Sequence, residues 1–155
     1  MGHITFQPIS VSDAFDSPLF AELCAEYHAE SARNSDLLPE PPSREMYEAL
    51  VAAGSMVGIG AYADDTLVGF CAVIFSPVLH YGGEIAATTE SLFIGKAYRN
   101  GLAGVQLIRE AERVAARCGA KGLYISAPVG GTLEKILPRL DYQLSNVVFY
   151  RSATP

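Results

Sequence analysis

The run TLVGFCAVIF, Thr66 to Phe75, is apolar on both faces of any strand it forms. Such a strand has no side to offer water, so it belongs in the middle of a sheet. The segments around it alternate in type. Ile4 to Ile9 is a short β-prone run. Ser17-Pro18 gives a helix N-cap followed by proline, and Phe20, Leu23, Cys24 and Tyr27 fall on one face of the helix that follows. Ser31 to Pro42 reads as a loop, and a short helix runs from after Ser43 to before Gly54. Asp64-Asp65 splits Met56 to Ala63 from Thr66 to Pro77 as a hairpin.

After a turn at Tyr81-Gly82-Gly83, Glu84 to Ile94 makes a further strand. From Gly101 the period turns helical, with Leu107, Ala111, Val114 and Cys118 on one face and Gly119 as the stop. Lys121 to Ser126 reads as a buried-type strand, Thr132 to Leu137 as a short helix ended by Pro138, and Tyr142 to Arg151 as a terminal strand. The expectation is one domain over residues 1–155, a mixed sheet flanked by helices.

Composition narrows the class. Half the residues are hydrophobic and 18% are charged, enough to fill a core at this length of 155. No apolar run reaches the roughly 20 residues that span a bilayer, and the N-terminus has no signal-peptide pattern. Phe6 stands where a myristoylation motif needs Ser or Thr. A soluble, cytoplasmic protein with no membrane partner is expected. Cys24, Cys71 and Cys118 are widely spaced in apolar surroundings and read as reduced core cysteines. Cys24 and His28 share a helix face at a metal-compatible spacing, but no third ligand accompanies them, so no metal is expected.

Charge is divided unevenly. Up to Asp65 there are eleven acidic and two basic residues, a balance of −9; from Thr66 there are six acidic and nine basic, a balance of +3. Nucleic acid suits neither half, because no basic, aromatic-rich patch exists. An anion suits the second half better than the first.

The stretch YRNGLAG, Tyr98 to Gly104, lies between a strand and a helix start. Each glycine there costs about 1 kcal/mol of helix stability. Such a turn exposes N–H groups at the positive end of a helix dipole, a site for pyrophosphate; the alternative is a tight turn or close helix packing. No P-loop pattern is present, and the nominal dinucleotide pattern at Gly58-Ile59-Gly60 is followed by a hairpin where a helix belongs.

The run SLFIGKAYRNGLAGVQLIREAERVAARCGAKGLYI resembles the acetyl-CoA-binding core of the GCN5-related N-acetyltransferases, with Arg99 and Gly104 in the outer positions of an Arg/Gln-x-x-Gly-x-Gly/Ala loop. Leu102 replaces the usual middle glycine, and Gly101 is displaced by one residue. The GLAG variant is similar to acetyltransferases of phage and mobile elements. The resemblance implies an α/β (α+β) fold: a mostly antiparallel sheet of six to seven strands, flanked by about four helices and splayed at the cofactor. It implies acetyl-CoA as co-substrate and direct transfer to a primary amine, either a small cationic amine or a protein N-terminus or lysine. Backbone groups of Leu92, Phe93 and Ile94 would pair with the pantetheine arm; Asn100, Gly101, Leu102, Ala103, Gly104 and Val105 would hold the pyrophosphate; Arg99 would position the loop or touch phosphate.

Glu90, on the face of Leu92 and Ile94 if alternation holds, is the candidate base, with a structural ion pair as its alternative role. The tyrosine that many relatives use as leaving-group acid is replaced by Leu137, leaving Tyr142, Tyr124 or solvent. The acceptor would lie between the first helices, the loop after Ser31 and the His80-Tyr81 turn; Glu22, Glu26, Glu30, Asp36 and Glu40 there suggest a cationic acceptor. A non-catalytic acyl-CoA-binding module is the alternative function. An exposed terminal strand could pair two chains as a homodimer.

Overall fold

The computed structural model describes residues 3–34, 41–99 and 101–153. Among the described residues five strands form one sheet in chain order: β1 (Ile4–Pro8), β2 (Met56–Ala63), β3 (Thr66–Val78), β4 (Glu84–Ile94) and β5 (Leu123–Tyr124). All pairings are antiparallel except that of β4 with β5. As its sequence requires, β3 is central, and Leu67 to Val73 are buried without a break. Its hairpin with β2 turns at Asp64, whose φ of 53° is a left-handed conformation that a short polar side chain tolerates.

Helices cover both faces. On one lies α4 (Ala103–Arg117), packing Leu107, Ala111 and Val114 against Val68, Cys71, Val73, Ala87 and Ile94. On the other lie α1 (Val11–Phe15), α2 (Phe20–Ser31) and α3 (Arg44–Ala52). Leu23 and Cys24 of α2 pack against Leu67, Phe70 and Phe93 there. Ser10 caps α1 by accepting from the Asp13 N–H, and Ser43 caps α3 by accepting from Met46. A fifth helix, α5 (Thr132–Ile136), runs into a 3-10 turn at Leu137–Leu140.

Four sequence expectations need correction. The sheet has five strands among the described residues rather than six to seven, because Tyr142 to Arg151 does not form a strand, and Leu144, Val147, Val148 and Phe149 are exposed. The strand expected over Lys121 to Ser126 is two residues long and not buried. Ser17 does not cap α2, which starts at Phe20 with Leu19 at its cap; the local signal at Ser10 makes the unforeseen α1 instead. Cys118 is exposed at the end of α4, whereas Cys24 and Cys71 are buried. No helix among the described residues is long and apolar enough to cross a membrane.

Leu107 has no exposed surface and lies where α4 meets the sheet. Leu107→Ala should lower unfolding stability by about 2–5 kcal/mol in a denaturant titration. A loss under 1 kcal/mol would show that α4 is not anchored there.

Candidate active site

β4 leaves its neighbour partway along. It pairs with β5 only at Ala87 and Thr88, and beyond Thr88 no strand lies beside it among the described residues. The gap is a cavity of about 700 Å³. Its walls are β4 from Thr89 to Ile94, the start of α4 at Gly104 and Val105, and the stretch from Ser126 through α5.

The other edge of β4 has its own irregularity. Leu92 pairs with Cys71 and Ser91 with Ala72, but Val73 pairs with Thr89, so Glu90 is one residue too many. A bulge of this kind breaks the side-to-side alternation. Leu92 and Ile94 face α4, whereas the Glu90 carboxylate accepts a hydrogen bond of 2.8 Å from the Tyr47 hydroxyl on α3. Alternation therefore misplaces Glu90: it stands on the opposite face from Leu92 and Ile94. The Ser91 hydroxyl accepts from the Ala72 N–H across the bulge.

On that face lies a second cavity, of about 360 Å³, beneath α1, α2 and α3. Tyr27, Glu90 and Ser91 line both cavities, so the two meet at the bulge. Tyr27 stands edge-on to Phe93 and Phe70, and its hydroxyl lies 3.4 Å from the Glu90 carbonyl oxygen. Burial, then the Glu90 charge, pushes the Tyr27 hydroxyl up to about 12. The same causes raise Tyr47 further, so both remain O–H donors at neutral pH. Burial also lifts the Cys24 thiol to about 11 and raises Cys71, which leaves no thiolate nucleophile at either position near neutral pH.

Arg99 is tied to the protein at all three of its nitrogens. Its Nε donates to the Ile94 carbonyl at 2.7 Å, its two terminal nitrogens form a fork on the Glu30 carboxylate at 3.0 and 2.7 Å, and its guanidinium lies 4.8 Å from the Phe93 ring centre. Glu30 also meets Lys96, and Glu26 accepts from the Lys96 backbone N–H. Two carboxylates of the acidic stripe on α2 thus tie that helix to the loop after β4. The Arg99 hydrogen bonds hold the Glu30 carboxyl below the usual carboxylate range.

The two glycines at the helix start have different reasons. Gly101 has φ of +60° and serves the turn. A Cβ added at Gly104 would meet no atom of the described residues within 4 Å, so packing against them does not demand it; that position lines the cavity. Among the described residues no side chain caps α4, whose N-cap is Leu102. Its first N–H groups therefore have no side-chain partner from the cap, next to the cavity.

Of the residues singled out by sequence, the structure gathers Glu90, Leu92, Phe93, Ile94, Arg99, Gly104 and Val105 around the larger cavity. Gly101, Leu102 and Ala103 do not line it: Leu102 points to solvent and Ala103 into the core. Asn100, Asp36 and Glu40 lie outside the described residues. Leu137 is buried, Tyr142 donates to Glu112 on α4, and Tyr124 is on β5; none of the three lines a cavity. Tyr27 and Tyr47 were missed. Tyr27 lies on the apolar face of its helix and reads as core, and nothing in the local sequence distinguishes Tyr47. Among the described residues no group of three or more His, Cys, Asp or Glu side chains converges as metal ligands.

The two cavities thus abut, with the Glu90 carboxylate at their junction. Residues 20–130 match the acetyltransferase (GNAT) family, and the chain belongs to that family of acetyl-transferring enzymes. Solved structures share its fold over almost the whole chain. A ribosomal-protein-alanine N-acetyltransferase from Brucella melitensis biovar Abortus 2308 is 20% identical, covering 99% of this chain and 100% of its own, with a TM-score of 0.71. A GCN5-related N-acetyltransferase from Ralstonia eutropha JMP134 is 16% identical over 98% and 100%, with a TM-score of 0.77. An aminoglycoside acetyltransferase from an uncultured soil metagenomic sample is 14% identical over 98% and 99%, with a TM-score of 0.76. No curated protein sequence matches the chain.

The Glu30–Arg99 fork makes a pH prediction. A carboxyl held below its ordinary range stabilises the fold above that range, and the contribution fades on acidification. Glu30→Gln should lower Tm at neutral pH, and the gap to wild type should close as pH falls through the carboxylate range. A gap independent of pH would mean that the fork contributes through packing alone.

Proposed function

We propose that this protein moves an acetyl group from acetyl-CoA to a primary amine by direct attack, with no acyl-enzyme. The observation that carries the reading is the parting of β4 from β5 beside an uncapped helix start whose Gly104 is open to the gap.

The pantetheine arm would lie along β4 as an added strand. Gly95 donates to the Val68 carbonyl on β3, so by alternation the N–H groups of Leu92 and Ile94 face the gap rather than β3. They are the donors for pantetheine carbonyls and for the thioester oxygen as it gains charge. The pyrophosphate would rest on the N–H groups from Gly101 to Val105, assisted by the helix dipole. Arg99 would position this loop through Glu30 and Ile94 and leave phosphate binding to the backbone.

In the transfer step the amine lone pair forms the new N–C bond at the thioester carbon, and the C–S bond breaks. Glu90, held by Tyr47, takes the proton released by the amine. Tyr27, uncharged and at the junction, would protonate the departing thiolate, with solvent restoring its proton. The raised thiols of Cys24 and Cys71 support direct attack over a cysteine relay.

Thiol release from acetyl-CoA over a panel of primary amines tests the reading. Turnover is expected with at least one amine, and CoA binding without turnover on any would overturn it. Glu90→Gln should cost about 10²–10⁴-fold in rate, most at low pH where the amine is protonated. A loss equal at every pH would remove Glu90 from the base role. Gly104→Ala should raise Tm, since helix propensity improves by about 1 kcal/mol, while acetyl-CoA binding weakens. Stabilisation without loss of binding would place the cofactor elsewhere.

A further inference from the structure

The smaller cavity has a composition that the acidic surface of the first helices does not suggest. Its walls are Phe15 and Phe20 at α1 and α2, Met46 and Leu50 of α3, and Phe70 of β3. Glu90 is the only carboxylate lining it among the described residues, and it lies at the end shared with the larger cavity. The cause is visible in the sheet register. Gly58 pairs with Ala72, and Ala72 pairs with Ser91, so a row of three small residues crosses the sheet. The row beside it is Gly60, Phe70 and Phe93, whose rings pack against Leu23 and Cys24 and close that side. Helices resting on the large row stand clear of the small one.

We infer that this cavity holds the body of the acceptor, and that the acceptor is a monoamine with an apolar, aromatic or branched carbon skeleton. This rests on the N-acetyltransferase reading above and names its substrate class. The amine end would reach Glu90 at the junction and lose its proton there. The rest of the molecule would lie mainly against carbon, with Ser10, His28 and Ser43 as neutral or weakly polar wall positions and no further carboxylate among the described residues. A second ammonium group in that space would be partly desolvated with no carboxylate among the described residues to meet it, which disfavours diamines and polycationic amines there. Glu26 and Glu30 on α2 are already engaged by the Lys96 N–H and by Arg99. Pockets of a few hundred Å³ suit a ligand of this size.

The test compares kcat/KM for 2-phenylethylamine, 3-methylbutylamine, ethanolamine and 1,4-diaminobutane at saturating acetyl-CoA, following thiol release. The apolar amines should exceed ethanolamine by about 10- to 100-fold, the worth of burying a phenyl or branched alkyl group. 1,4-Diaminobutane should be poorest. Ala14→Phe, which fills the cavity from α1, should remove the preference while leaving acetyl-CoA binding and Tm near wild type. Met46→Glu, at an exposed rim position, should raise the rate with 1,4-diaminobutane.

If hydrophilic amines react as well as apolar ones and Ala14→Phe leaves the ratios unchanged, the cavity is not the acceptor site, although the acetyltransferase reading stands. If octanoyl-CoA outcompetes acetyl-CoA and Ala14→Phe restores acetyl preference, the cavity holds an acyl chain and the inference is overturned. If no amine of either kind releases thiol, the failure belongs to the acetyltransferase reading itself.

Discussion

The pairing of β3 with β4 is the constraint on which the site depends. It is a long antiparallel ladder, from Gly69 opposite Ile94 to Val78 opposite Glu84, and it holds one surplus residue at Glu90. Without that residue Glu90 would share the face of Leu92 and Ile94, against α4. With it, the carboxylate comes under α3 and within reach of Tyr47. Buried apolar surface on both faces of β3 fixes the register to either side, because a one-residue slip would turn every side chain to the wrong face. The bulge is therefore confined to the point where the two cavities meet.

A second dependence runs through α2. Its apolar face packs on Phe70 and Phe93, and its acidic face holds the loop after β4 through Glu30 and Arg99. The helix that roofs the smaller cavity thus also positions the loop bordering the larger one. Arg99 is bound at once to the Ile94 carbonyl, the Glu30 carboxylate and the Phe93 ring face, an arrangement that lysine's point charge cannot reproduce.

Much of this architecture is legible in the sequence, and the misses have physical reasons. Strand β4 was bounded correctly at Glu84 and Ile94, and α4 was read from the spacing of Leu107, Ala111 and Val114, because long periodic elements carry strong signals. The helix at Val11 was missed because five residues give too little periodicity to detect. Alternation misplaced Glu90 because a bulge depends on the partner strand, which local sequence does not describe. Tyr27 and Tyr47 look like packing residues until the tertiary structure brings them beside Glu90. Glu26 and Glu30 of α2 could not be paired by local reading, because their partners Lys96 and Arg99 lie some seventy residues later in the chain. Gly101 and Gly104 looked alike by spacing, and only the folded backbone separates them: Gly101 takes a positive φ in the turn, whereas Gly104 is helical and lies on the cavity wall.

The central claim is that acetyl-CoA occupies the gap where β4 leaves β5, with its phosphates at the start of α4. Amide hydrogen exchange with and without acetyl-CoA addresses it most directly. The account predicts that the cofactor slows exchange at Leu92, Ile94 and the first turn of α4, while the β1–β2 pairing is unchanged. Protection confined to other parts of the sheet, or none at Leu92 and Ile94, would contradict it.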